Sequence, residues 1–248
     1  MYSRTRARAL WVLFAIVAAV GCGRQVTPNP PGVGAGGNDP GYMSVKFDVN
    51  SQFDFSNFEY WIVFNTTGNG STPLTNPQQN NWQAYSDAIE VGGTGGGTYA
   101  RAIQFLKNSN PVIPPAFLTL ITTPQQLQYI PNSNGSGTEF QVTFQRSIFT
   151  PISTPSPGVS PSPLAHTWLF NAFVTQSSAN NQLIFVDSMG QGGATDTTFT
   201  DQPPLSVCQS FDTVYTKVQD ISPPTDPSSQ IVSVEIANNG SSPPSCPP

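Results

Sequence analysis

The chain has 248 residues, only 9% of them charged, and a formal net charge of −5. Beyond residue 21, six bases (Arg24, Lys46, Arg101, Lys107, Arg146, Lys217) stand against fourteen acids, a balance of −8. Such a chain repels phosphate backbones and offers no basic patch to anionic lipid, which argues against nucleic acid as a partner. Asn, Gln, Ser, Thr and Gly must therefore carry solubility, as suits an exported protein.

Arg4, Arg6 and Arg8 precede an apolar run from Ala9 to Val20. A basic segment, about a dozen apolar residues and small residues before a cut describe a secretory signal over residues 1–21. The run is shorter than the roughly 20 residues a spanning helix needs. Ala19-x-Gly21 satisfies the small-x-small rule of an ordinary cleaved signal. With Cys22 directly after it, Ala19-Val20-Gly21-Cys22 also resembles the lipobox of bacterial lipoproteins, Ala19 standing where that family prefers Leu. The resemblance covers residues 1–22. It implies that Cys22 is diacylated, becomes the new N-terminus and holds the chain to a membrane, at the outer membrane or cell surface. If lipid takes Cys22, Cys208 and Cys246 remain as a pair; the alternative is two free thiols. Their bridge would close a loop of 39 residues, valued at roughly 3–4 kcal/mol by chain entropy.

Residues 22–42 hold prolines and glycines without apolar periodicity and read as a tether. Val45–Asn50 alternates apolar and polar residues, the mark of a half-buried strand. Phe58, Tyr60, Ile62 and Phe64 line one face of a second strand, with Glu59, Trp61, Val63 and Asn65 opposite. Phe53 and Phe55 lie between, on a short strand or a packed connection. Trp82–Val91 reads as a weaker strand, followed by a turn over Gly92–Gly97. Tyr99–Leu106 fits either a strand or a helix. Phe117–Thr122 and Gln126–Ile130 are short apolar pieces, and 132–137 is a turn. Phe140, Val142 and Phe144 alternate in a clear strand.

Residues 150–163 contain five prolines and no core pattern, so they form a linker or a long loop. Thr167–Thr175 and Gln182–Val186 are apolar on both faces and read as central, doubly covered strands. Phe211–Val218 follows, then Ile231–Ala237 with Val232, Val234 and Ile236 inward. The tail 238–248 is rich in Ser and Pro. About ten short strands with no long helix predict an all-β, antiparallel β-sandwich, Ig-like or jelly-roll-like, over 43–237 as a single domain.

Catalytic signatures are weak throughout. His166 is the sole histidine and has no G-x-S-x-G elbow beside it. Gly95-x-Gly97-x-x-Ala100 lacks the strand, helix and downstream acid of a dinucleotide site. Asp54/Glu59, Asp87/Glu90 and Asp196/Asp201 are close in sequence, but a glycosidase needs its acids across a cleft. Asp187–Asp201 lacks the calcium-loop spacing, and two distant cysteines with one histidine do not make a zinc site. No catalytic residue, metal or cofactor is therefore expected. The reading is a non-enzymatic structural or binding module that meets a glycan or an envelope protein. Trp61 and Trp82 are the candidate ligand face of a carbohydrate-binding alternative, and a hydrolase with an unrecognised carboxylate pair is the other alternative.

Overall fold

The alternation around Val45 produces β1 (Tyr42–Val49), the central strand of a five-stranded antiparallel sheet. The computed structural model describes residues 41–67, 85–94, 97–106, 116–149, 167–177, 183–190, 204–217 and 223–239, all within the compact unit Pro31–Pro248. Two hairpins flank β1. One is β6 (Leu127–Ile130) with β7 (Glu139–Gln145), the other β11 (Phe211–Thr216) with β12 (Ile231–Asn238), giving the order β11-β12-β1-β7-β6.

The next strand in sequence, β2 (Glu59–Asn65), is central to a seven-stranded sheet. There β2, β3 (Asp87–Thr94), β4 (Gly97–Leu106) and β5 (Ala116–Thr119) form a meander. On its other side β2 pairs with β8 (Thr167–Ser177), whose far edge takes β10 (Leu205–Ser206) near one end and β9 (Leu183–Ser188) near the other. So β9 is an edge strand with Ile184 exposed, and not the central strand expected at Gln182–Val186. The two sheets pack face to face as a β-sandwich. Strands from both sides of residues 150–163 share both sheets, since β12 pairs with β1 and β8 with β2. Residues 150–163, 22–40 and 240–248 lie outside the described residues; Tyr42, read as tether, is the first residue of β1, and Asn238, read as tail, is the last of β12.

Between the sheets, Val45, Phe47, Phe140, Phe144, Val234 and Ile236 meet Tyr60, Ile62, Phe64, Ile89, Phe170 and Val174. Rings interlock across the gap, Phe47 edge-on to Tyr60 at 5.8 Å and Phe64 against Phe144 at 5.7 Å. Each fully buried side chain of this size contributes about 1.5–3 kcal/mol. Residues 51–57 form a packed connection rather than a strand, with Phe53 stacked on Phe55 at 5.2 Å and edge-on to Tyr60 at 4.8 Å.

The outer faces differ. On the five-stranded sheet Ser44, Gln141 and Thr143 hydrogen-bond one another, and Lys46 pairs with Glu235 at 2.6 Å. The seven-stranded sheet instead carries a second apolar cluster of Trp61, Val63, Tyr85, Ala88, Ile103, Phe105, Phe173 and Phe185. Both faces of β4 are thus lined by apolar residues, which explains why Tyr99–Leu106 also fits helical spacing while forming a strand. Gly92 and Gly93 belong to β3, so the turn is narrower than Gly92–Gly97. Val232 does not point inward. A β-bulge opposite Asp48/Val49 pairs Ile231 with Val49 and Ser233 with Asp48, leaving Val232 as the extra, exposed residue.

Candidate functional site

Trp61 does not form the exposed platform expected of it. It is 1% exposed. Its strand lies between β3 and β8, so the outer cluster closes around the ring, and Phe117 packs on it at 5.8 Å. The indole Nε1–H donates to Thr175 Oγ1 at 2.8 Å, and the Thr175 hydroxyl lies 3.5 Å from Glu59 Oε2. Asn65, expected as a polar neighbour on that face, is buried too. A sugar needs an open ring face to stack on, and Trp61 has none. Trp82 lies outside the described residues.

Beside Trp61 on the same face is the best-built polar cluster among the described residues. Glu90 is opposite Trp61 on β3 and opposite Arg101 on β4. Arg101 binds it with both ends of its fork, Nε to Oε2 at 2.7 Å and an Nη to Oε1 at 2.8 Å. The Tyr99 hydroxyl donates to Oε1 at 2.9 Å. Tyr99 can reach it because Gly92 has no side chain; a Cβ there would lie 2.7 Å from the Tyr99 hydroxyl. Arg101 sits 5.4 Å from the Tyr99 ring centroid, a cation–π contact. Burial works against the Arg101 charge, but its bonds to Glu90 and that residue's charge hold the guanidinium above its ordinary value. Burial, then the Glu90 charge, keep the Tyr99 phenol well above its usual range. Glu90 is thus a fully buried, charge-paired anchor rather than a free acid or base. What this cluster offers solvent is the partly exposed Arg101 guanidinium and the half-buried Tyr99 and Glu59.

The close carboxylates Asp87 and Glu90 do not converge. Asp87 and Glu90 are three apart on one strand and so point to opposite faces; Asp87 accepts from Thr66 Oγ1 at 2.6 Å. Asp54 accepts from Ser56 N and Asn57 N at 3.0 and 3.3 Å, holding a turn. Asp187 accepts from Ser188 N, from Ile231 N on the opposing sheet at 2.8 Å, and from the Lys217 ammonium. Its carboxylate therefore joins the two sheets; the rest of the calcium candidate, 191–201, lies outside the described residues. No group of three or more His, Cys, Asp or Glu that could hold a metal occurs among the described residues. His166, Asp196 and Asp201 lie outside them.

At one pole of the sandwich the first and last described residues lie side by side. Gly41 N donates to Asn239 O at 3.2 Å, and Asn239 N to Tyr42 O at 3.1 Å. Arg146 is buried beneath this crossing. It donates to the carbonyls of Gly41 and Asn239 at 3.3 Å each and to that of Val207. Burial lowers its guanidinium to about 10, still charged at neutral pH. Asn238 Nδ2 donates to the carbonyls of Val207 and Gln209, so the turn bearing Cys208 is clamped to the end of β12. Cys208 lies in that turn, while Cys22 and Cys246 lie outside the described residues.

The pairing of Glu90 with Arg101 has a sequence signal, since the two residues are equidistant from the glycine turn at 95–96. The Arg146 and Asp187–Lys217 contacts have none, because their partners are 30 to 105 residues away. Compared with known proteins, the chain matches no family model, no curated protein and no solved structure.

Proposed function

We propose that the chain is a lipid-anchored, exported protein of the bacterial cell envelope, a non-enzymatic module that displays one β-sandwich domain outside the membrane. Diacylated Cys22 is the anchor, residues 23–40 are the spacer, and the sandwich is the displayed part. The observation that carries the reading is the junction Gly21-Cys22 followed by a Pro/Gly stretch that ends where β1 begins. The non-enzymatic reading is supported by the carboxylates Asp54, Asp87, Glu90 and Asp187, each of which accepts hydrogen bonds from the protein's own donors. The placement is the outer membrane or cell surface.

Cys208 pairs with Cys246 in this reading. Asn239 ends against the Cys208 turn, and the seven residues on to Cys246 can span up to roughly 25 Å. Peptide mapping without reductant then yields one species joining the two, and a Cys208–Cys22 species would overturn both the pairing and the anchor. The anchor itself is tested by membrane fractionation of the wild-type chain beside Cys22→Ala. The wild type sediments with membranes and the variant is released; equal release of both contradicts anchoring.

A further inference from the structure

We infer that Lys217 and Asp187 condense in the folded protein, joining the two sheets through a side-chain amide. The inference concerns the sandwich itself and is independent of how the chain is anchored.

Both reactants are placed by backbone that the core fixes. The register of β9 shifts between Val174 and Thr175 of β8, a β-bulge that makes Val186 the extra residue. Phe185 therefore stays in the outer cluster, while Asp187, two residues on, turns inward beside buried Val174. Lys217 directly follows β11 of the opposing sheet, its backbone N–H held by Val232 O at 2.9 Å. Its ammonium contacts Asp187 Oδ1, with the Lys217 side chain 5% and the Asp187 side chain 0% exposed. The other ion pairs described do not combine these features. Lys46 and Glu235 are 33% and 25% exposed, so water has access to both. Glu90 is buried, but its partner Arg101 is a guanidinium, which stays protonated and is no nucleophile.

The surroundings of Asp187 supply what acyl transfer needs. Ile231 N donates to Oδ2 at 2.8 Å, and Ser188 N donates to Oδ1 at 2.9 Å. A proton passing from the ammonium to Oδ1 leaves a neutral amine and a neutral acid, and burial favours the change because two charges disappear. The Nζ lone pair then attacks Cγ. The C–N bond forms and the carbonyl pair moves onto Oδ2, where the Ile231 amide stabilises the oxyanion. A second proton passes from Nζ to the Oδ1 hydroxyl. The Cγ–Oδ1 bond breaks, water leaves and the Oδ2 carbonyl re-forms. Nothing beyond the two side chains is consumed. Well-oriented groups held in contact reach effective molarities of about 10⁵–10⁸ M, which favours the amide over the separated groups. Loss of either side chain then removes the cross-link together with the ion pair from which it forms.

The test is chymotryptic mapping of the native protein, reduced and denatured in urea before digestion. Cleavage after Phe185 and after Tyr215 separates the segment bearing Asp187 from the one bearing Lys217. The wild type yields a branched peptide that joins the two and weighs one water less than their sum. Lys217→Arg keeps a cation beside Asp187 but yields the two segments separately. Separate, unmodified segments from the wild type overturn the proposal, whatever the variant does. So does a loss of water that persists in Lys217→Arg, which assigns it to a succinimide within one segment instead of a bond between the sheets.

Discussion

Replacing Lys217 by Met keeps the aliphatic stem and removes the ammonium that faces Asp187. In the wild type the Asp187 side chain is 0% and the Lys217 side chain 5% exposed, so neither charge has water in reserve. Asp187 Oδ1 takes Ser188 N and the ammonium, and Oδ2 takes Ile231 N of β12 at 2.8 Å. The variant takes the ammonium away from a carboxylate buried between the sheets, which keeps the Ser188 and Ile231 amide donors. Breaking a buried pair in this way costs about 3–5 kcal/mol. With a urea slope of roughly 2–3 kcal/mol/M for a domain of this size, the unfolding midpoint falls by roughly 1–2 M. The double variant Asp187→Asn/Lys217→Met removes both charges while an amide oxygen still accepts from Ile231 N. It is therefore more stable than Lys217→Met alone. A loss below about 1 kcal/mol in the single variant, or a double variant whose loss equals the sum of the singles, refutes the reasoning.

Arg146→Met removes the guanidinium from the carbonyls of Gly41, Val207 and Asn239, each of which keeps one other donor (Arg146 N, Asn238 Nδ2 and Gly41 N), and lowers stability by about 1–3 kcal/mol in chemical denaturation; Arg146→Lys recovers only part, lacking the fork that reaches all three. Gly93→Ala brings a Cβ to 2.6 Å from Phe55 Cβ and 2.8 Å from its carbonyl oxygen, for a loss of about 1–3 kcal/mol in thermal melts, whereas Gly92→Ala meets the movable end of Tyr99 and loses less. Asp48 has its carboxyl raised above 3.8 by burial, with Glu139 adding to the shift and a Thr138 hydrogen bond opposing it. A carboxyl raised in the folded state contributes stability below its unfolded value, and loses it as pH rises through the folded one. Asp48→Asn accordingly gains a few tenths of a kcal/mol at pH 7 relative to wild type, discounted for its partial exposure, and the gain disappears below pH 3.8.

Period-2 patterning made the sandwich legible wherever one face of a strand is wet. β1 and β7 were readable residue by residue because Lys46, Asp48, Gln141 and Thr143 mark the outer side. The same logic misleads on β2. Glu59 and Asn65 suggest an open face around Trp61, yet the sheet carries a second apolar layer there and both polar groups are absorbed by hydrogen bonds. Val232 fails for a different reason, since a bulge shifts register by one residue and period-2 counting has no term for it. The Glu90–Arg101 pair is local and follows from folding the hairpin about its glycines. Arg146 and Lys217 act on partners fixed only by the complete topology, so their importance is invisible in the chain itself.

The central claim is that the sandwich is held to a membrane through Cys22, and the most direct measurement is the intact mass of the N-terminal peptide of the native protein. The account predicts a peptide beginning at Cys22 that carries diacylglycerol, absent from the Cys22→Ala variant. An unmodified N-terminus at or after residue 22 contradicts it and leaves a protein that is secreted without an anchor.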